Sequence, residues 1–175
     1  MIDRRLFLAA GATATLSGTL AGCASMGGGG WATLVDGATM KSLDGWGQLG
    51  AGNWSFVEGT LQGKDGKLGY LVTKDSYTDF EIRAEFWADE PANSGIFIRC
   101  QDRNKVGADS SYEVNIFDKR PDPTYGTGAI VDFAKVAQPG PKAANRWNTF
   151  HITARGPRLI VVFNAINRHA GHAAL

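Results

Sequence analysis

The chain has 175 residues, with 18 Lys and Arg against 17 Asp and Glu, for a formal net charge of +1. That balance excludes the basic footprint of a nucleic-acid binder, or of a protein held to an anionic membrane by charge. Hydrophobic residues at 43% and charged residues at 20% exclude a disordered chain, and 23 glycines beside 9 Phe and 5 Trp favour strands and turns over a helix bundle.

Residues 1–22 read as an export signal. Arg4 and Arg5 make a positive start, and Leu6 to Leu20 is mildly apolar. Leu20-Ala21-Gly22-Cys23 resembles the bacterial lipobox, which implies cleavage before Cys23 and attachment of lipid to its thiol. Arg4-Arg5-Leu6-Phe7-Leu8 also resembles a twin-arginine signal, so the general and the folded-protein export routes both stay open. Removing residues 1–22 leaves basic and acidic side chains in balance. Residues 23–30 are then the lipidated Cys and a Gly-rich flexible tether. Ala24, not Asp, follows Cys23, which by resemblance to lipoprotein sorting favours the outer membrane, with the domain facing the periplasm. Cys100 is left without a second unlipidated thiol and reads as a small core residue.

Residues 31–175 form one domain of short strands. Turn signals recur at Asp36-Gly37, Asp44-Gly45, Glu58-Gly59, Asp65-Gly66, Asn93-Ser94-Gly95, Pro121-Asp122-Pro123 and Gly156-Pro157. Between them the pattern predicts strands over 53–57, 68–73, 79–86, 95–100, 112–118, 128–133, 147–154 and 158–164. The clearest is 79–86, where Phe80, Ile82, Ala84 and Phe86 take one face and Glu81, Arg83 and Glu85 the other. Such a series implies a sandwich of two antiparallel sheets. After Asn164 the tail is small, polar and poor in strand formers. It predicts that the apolar strand 158–164 lacks its following partner and leaves an exposed edge.

Several of these segments together resemble a known family. They are Leu34-Val35-Asp36-Gly37, Leu43-Asp44-Gly45-Trp46, residues 54–61 (WSFVEGTL), residues 92–99 (ANSGIFIR), residues 112–118 (YEVNIFD), Thr127-Gly128-Ala129-Ile130 and Trp147-Asn148-Thr149. Their order and spacing over 31–164 resemble the 3-keto-disaccharide hydrolase domain family. The resemblance implies a concanavalin A-like jelly roll and an exported bacterial enzyme acting on sugars oxidised at C3. Family members continue to a sheet-closing strand, so the resemblance implies an incomplete domain that lacks the final strands. Asn164-Ala165 stands where an Asn-Gly turn is usual, and His151 where Glu is usual.

A ketone at C3 acidifies the C2 proton. A base can remove it, the C1 substituent can leave by elimination, and water can add back for net hydrolysis. This route needs a base and a group that stabilises the enolate oxygen. Ordinary glycosidases use two carboxylates instead. Alternation offers Glu85, Arg99 and Glu113 as the catalytic set, if their strand faces converge on a concave sheet. Glu113 is the candidate base, and Arg99 the cation for the enolate. Asn93, Asp118, Thr127 and Trp87 are candidates for binding the sugar. No phosphate loop, Ser/His/Asp order or Cys/His metal spacing is evident, and the chemistry calls for no cofactor and no metal. The expected partners are a carbohydrate substrate and, through the lipid alone, a membrane. The other readings are a lectin-like sugar-binding lipoprotein and a surface scaffold, since this fold does not fix function.

Overall fold

The computed structural model describes residues 6–9, 30–64, 67–136 and 140–172. Cys23 and most of the export signal and tether lie outside the described residues. The strands are β1 (Leu6–Ala9), β2 (Trp46–Gly50), β3 (Asn53–Val57), β4 (Thr60–Lys64), β5 (Gly69–Thr73), β6 (Phe80–Ala88), β7 (Ser94–Ile98), β8 (Tyr112–Ile116), β9 (Trp147–Arg155), β10 (Arg158–Phe163) and β11 (Ile166–His172). A single 3-10 turn, Pro123–Tyr125, is the one helical element among the described residues, and the Asp122 side chain caps it by accepting from the Thr124 N–H.

The fold is an all-β jelly-roll sandwich. One layer is a seven-stranded antiparallel sheet in the order β11-β10-β9-β6-β1-β4-β3. The other contains two ribbons, β2-β5 and β7-β8. Tyr70 of β5 meets Phe97 of β7 edge to face at 5.4 Å, which sets the ribbons side by side. The 128–131 segment lies alongside β8: Asn115 N–H donates to Ala129 O, and Val131 N–H to Glu113 O.

Strand alternation builds the core. Phe86 and Ala84 of β6 point inward with Phe150 and Ile152 of β9 and with Leu159, Val161 and Phe163 of β10. They meet Ile98, Val114, Ile116 and Ile130 from the second layer. Phe86, Phe150 and Phe163 form a compact aromatic centre, with ring centroids 4.8 to 6.2 Å apart. Cys100 is half-buried at the end of this ribbon, not in the buried core, and its Sγ meets the Asp102 carbonyl at 3.2 Å.

Three expectations change. The strand predicted over 128–133 is a bridge at Ile130 within turns, because Gly128 (φ 89°) and Asp132 (φ 57°) take left-handed conformations that break extension. The edge predicted at β10 is covered: the tail folds back as β11, pairing from Phe163↔Ile166 to Arg158↔His172. Asn164 (φ 47°) and Ala165 (φ 63°) make the two-residue turn between them. The open position in the sheet lies elsewhere. Residues 30–172 leave a slot one strand wide between β4 and β6, and Leu6–Ala9 occupies it, pairing with β4 on one side and β6 on the other. A strand of the segment read as the export signal thus sits inside the sheet.

Candidate functional site

A cleft of about 1490 Å³ opens along the ribbons, and its lining includes Trp54, Tyr70, Asn93, Phe97, Glu113 and Arg120. Its chemistry concentrates around Glu113. In β8, Val114 and Ile116 are buried in the core, so alternation turns Glu113 to the opposite face, as the sequence indicates. Glu113 pairs in register with Phe97 on β7. Burial raises its carboxyl above the usual range; the Arg120 charge opposes that rise and the Asp132 charge adds to it. Arg120 and Asp132 are themselves within ion-pair range, at 3.7 Å. Tyr70 is close enough to feel the Glu113 charge. Burial first, and that charge second, raise its phenol, so it remains a proton donor at neutral pH.

Of the catalytic set expected from the sequence, Glu113 and Arg99 line the cleft and Glu85 does not. Arg99 has φ 55°, because β7 ends at Ile98 and the next residue turns left-handed. Its guanidinium is thereby redirected: Nη2 donates to Asp79 Oδ1 at 3.1 Å and to Gly156 O at 2.9 Å. Gly156 N–H also donates to Asp79. Arg99 is a clasp between β7, the β6 entrance and the β9–β10 turn, with its side chain 15% exposed. Glu85 sits on the outward face of β6, exposed and in register with Thr149, and does not line the cleft. Arg99 and Glu113 thus both line the cleft, with the Arg99 guanidinium engaged by Asp79 and Gly156, and Arg120 is the cation whose charge acts on Glu113.

The sugar-binding candidates divide similarly. Asn93 is exposed and lines the cleft. Asp118 and Thr127 do not. Asp118 accepts from Thr127 Oγ1 at 2.6 Å and from Ala144 N–H at 2.8 Å, and Thr127 is 5% exposed while accepting from Phe117 N–H. Together they staple two loops behind the site. Trp87 lies on the outward face of the large sheet, in register with Trp147, away from the cleft lining. Sequence reasoning missed Arg120 and Tyr70. β5 is half-buried along its whole length and all of it lines the cleft, so alternation does not single out Tyr70. Arg120 returns from a loop beyond β8, where no period applies.

A profile of the 3-keto-alpha-glucoside-1,2-lyase-like domain matches residues 30–170. The chain belongs to this family. No curated protein matches it. Among solved structures, a proposed glycosyl hydrolase from Parabacteroides distasonis is 28% identical, with a TM-score of 0.59 over 68% of this chain and 62% of that one. A second from the same organism is 16% identical, with a TM-score of 0.65 over 77% of this chain and 70% of that one, and shows the fold alone. The chain thus spans less than two thirds of the first of these.

Proposed function

We propose that this domain cleaves 3-keto-glycosides by removing the C2 proton, and that Glu113 is the base. The observation that carries the reading is a half-buried carboxylate whose pKa is raised, on a cleft wall, with a cation and a phenol in its field. A general base is most effective when its pKa lies near the working pH, and burial moves Glu113 in that direction. The Glu113 carboxylate takes the C2 proton, and the C2–H electron pair becomes the C2–C3 π bond of an enolate. In this reading Arg120 stabilises the charge on O3. When the ketone re-forms, the C1–O bond breaks and the aglycone leaves as an alcohol after protonation. Tyr70 is the donor in this reading. Water then adds its hydroxyl to C1, giving its other proton to the Tyr70 phenolate, while Glu113 returns the proton to C2; this yields the free 3-keto sugar and restores both groups. The lyase-like name of the family supports an elimination step.

The export reading belongs to the same proposal. On processing, Leu6–Ala9 leaves the sheet with the signal, Cys23 becomes the lipidated N-terminus, and the tether holds the domain in the periplasm, where 3-keto-glycosides reach the cleft. The test is incubation of the protein with a 3-keto-glucoside in deuterated water. Aglycone release together with deuterium at C2, and no turnover of the parent unoxidised glucoside, is expected. Equal cleavage of the parent glucoside without exchange would overturn the reading in favour of an oxocarbenium route.

A further inference from the structure

Gly95 stands on β7 two residues before Phe97, the position that faces Glu113, and is itself in register with Asn115, so Gly95 and Glu113 are diagonal neighbours on one face. Its φ is not in the left-handed region, so the backbone itself does not call for glycine here. Space does. A Cβ at position 95 would lie 2.7 Å from Glu113 Cγ, 2.7 Å from Glu113 Oε1 and 3.0 Å from the Val114 carbonyl oxygen. The Glu113 side chain therefore lies diagonally across the bare main chain of β7, with its carboxylate in the notch left by the missing side chain.

We propose that Gly95 is the positioning residue of Glu113: the notch fixes where the carboxylate stands on the cleft wall. The inference rests on the reading of Glu113 as the base and extends it to a residue that never touches substrate. Any Cβ at 95 forces the carboxylate outward, because the far end of a flexible side chain yields before the Val114 main chain does. The charged and titratable groups facing Glu113 are Tyr70 from β5 and Arg120 and Asp132 from the loops after β8. Moving outward takes the carboxylate away from its buried seat, and a displacement of about 1 Å can cost a reaction about a hundredfold.

The test is Gly95→Ala in the full chain, read in three ways. Carboxyl NMR titration should show Glu113 ionising at lower pH than in the parent, since its burial relaxes; an unchanged midpoint in a folded variant would overturn the proposal. Thermal melts should show Gly95→Ala destabilising the parent more than it destabilises Glu113→Ala, which lacks the colliding atoms. Equal losses in the two backgrounds would also overturn it. On a 3-keto-glucoside, Gly95→Ala should lose at least about tenfold in kcat, with no additional loss in the Glu113→Gln background. A moved titration with undiminished turnover would support the positioning role and refute Glu113 as the base, so the two readings fail separately.

Discussion

Ala165 offers a direct test of how the last hairpin closes the sheet. It sits at φ 63° beside Asn164 at φ 47°, in the two-residue turn between β10 and β11. A left-handed conformation costs an L-residue about 1–2 kcal/mol, whereas glycine adopts it freely. Glycine is in turn the more flexible residue in the unfolded chain, which offsets about 0.4–1 kcal/mol of the gain. Ala165→Gly should therefore stabilise the protein by about 0.5–1 kcal/mol. For a domain of this size, that is a rise of roughly 1–4 °C in Tm. The rest of the turn is held independently of residue 165: Asn164 Oδ1 accepts from Thr149 N–H at 2.8 Å, and Asn164 Nδ2 donates to Asn148 Oδ1 at 3.0 Å. Gly156, in the turn before β10, is the reverse control. Its φ is 49° and a Cβ there would meet nothing within 4 Å, so Gly156→Ala carries the backbone cost alone and should lower Tm by a similar amount. Circular-dichroism melts of the full chain decide the matter. An Ala165→Gly protein that melts at or below the parent temperature would refute the reasoning.

Because burial raises the Glu113 carboxyl in the folded state, the unfolded chain ionises first as pH rises. Stability associated with Glu113 is then present below the unfolded pKa of about 4.3 and lost as pH rises through the folded value. Glu113→Gln should thus be more stable than the parent at pH 7, with the difference shrinking towards pH 4; the carboxyls held low, such as Glu81 beside His151, titrate alike in both chains and cancel. Asp118→Ala should cost about 2–4 kcal/mol in urea unfolding by orphaning Thr127 and the Ala144 N–H, while KM stays near the parent value; a large KM change in a folded variant would return Asp118 to the substrate site. A chain beginning at Cys23 loses the strand between β4 and β6, so it should melt lower than the full chain and associate through the two uncovered edges. A monomeric Cys23–Leu175 chain with the parent Tm would show that Leu6–Ala9 contributes nothing to the sheet.

Much of this architecture is legible in strand alternation. Phe80, Ile82, Ala84 and Phe86 face inward as their spacing demands, and the same rule turns Glu113 away from Val114 and Ile116. Alternation fails where the backbone leaves the extended region. At Arg99 a left-handed residue sends the guanidinium to Asp79, and no local feature of ANSGIFIR announces it. At Asp118 and Thr127 the polar groups are spent on each other across a long loop, a contact that only tertiary structure brings about. The tail after Asn164 has weak strand propensity, yet it pairs because the β10 edge offers unsatisfied backbone groups; tertiary context overrides local preference. Arg120 follows a turn at Asp118-Lys119 just after β8, so its approach to Glu113 depends on the path of a loop.

The proposed function depends on Glu113 removing a proton from substrate. The measurement that tests it most directly is kcat of Glu113→Gln on a 3-keto-glucoside, with Glu85→Gln alongside. Gln keeps the size and polarity of the side chain but has no basic oxygen, and a general base is worth about 10²–10⁴-fold. Glu113→Gln should lose at least about a hundredfold in kcat and all C2 deuterium exchange, with folding intact, while Glu85→Gln, on the outward face of β6, should stay within about twofold of the parent. Near-parent turnover and exchange in Glu113→Gln would contradict it.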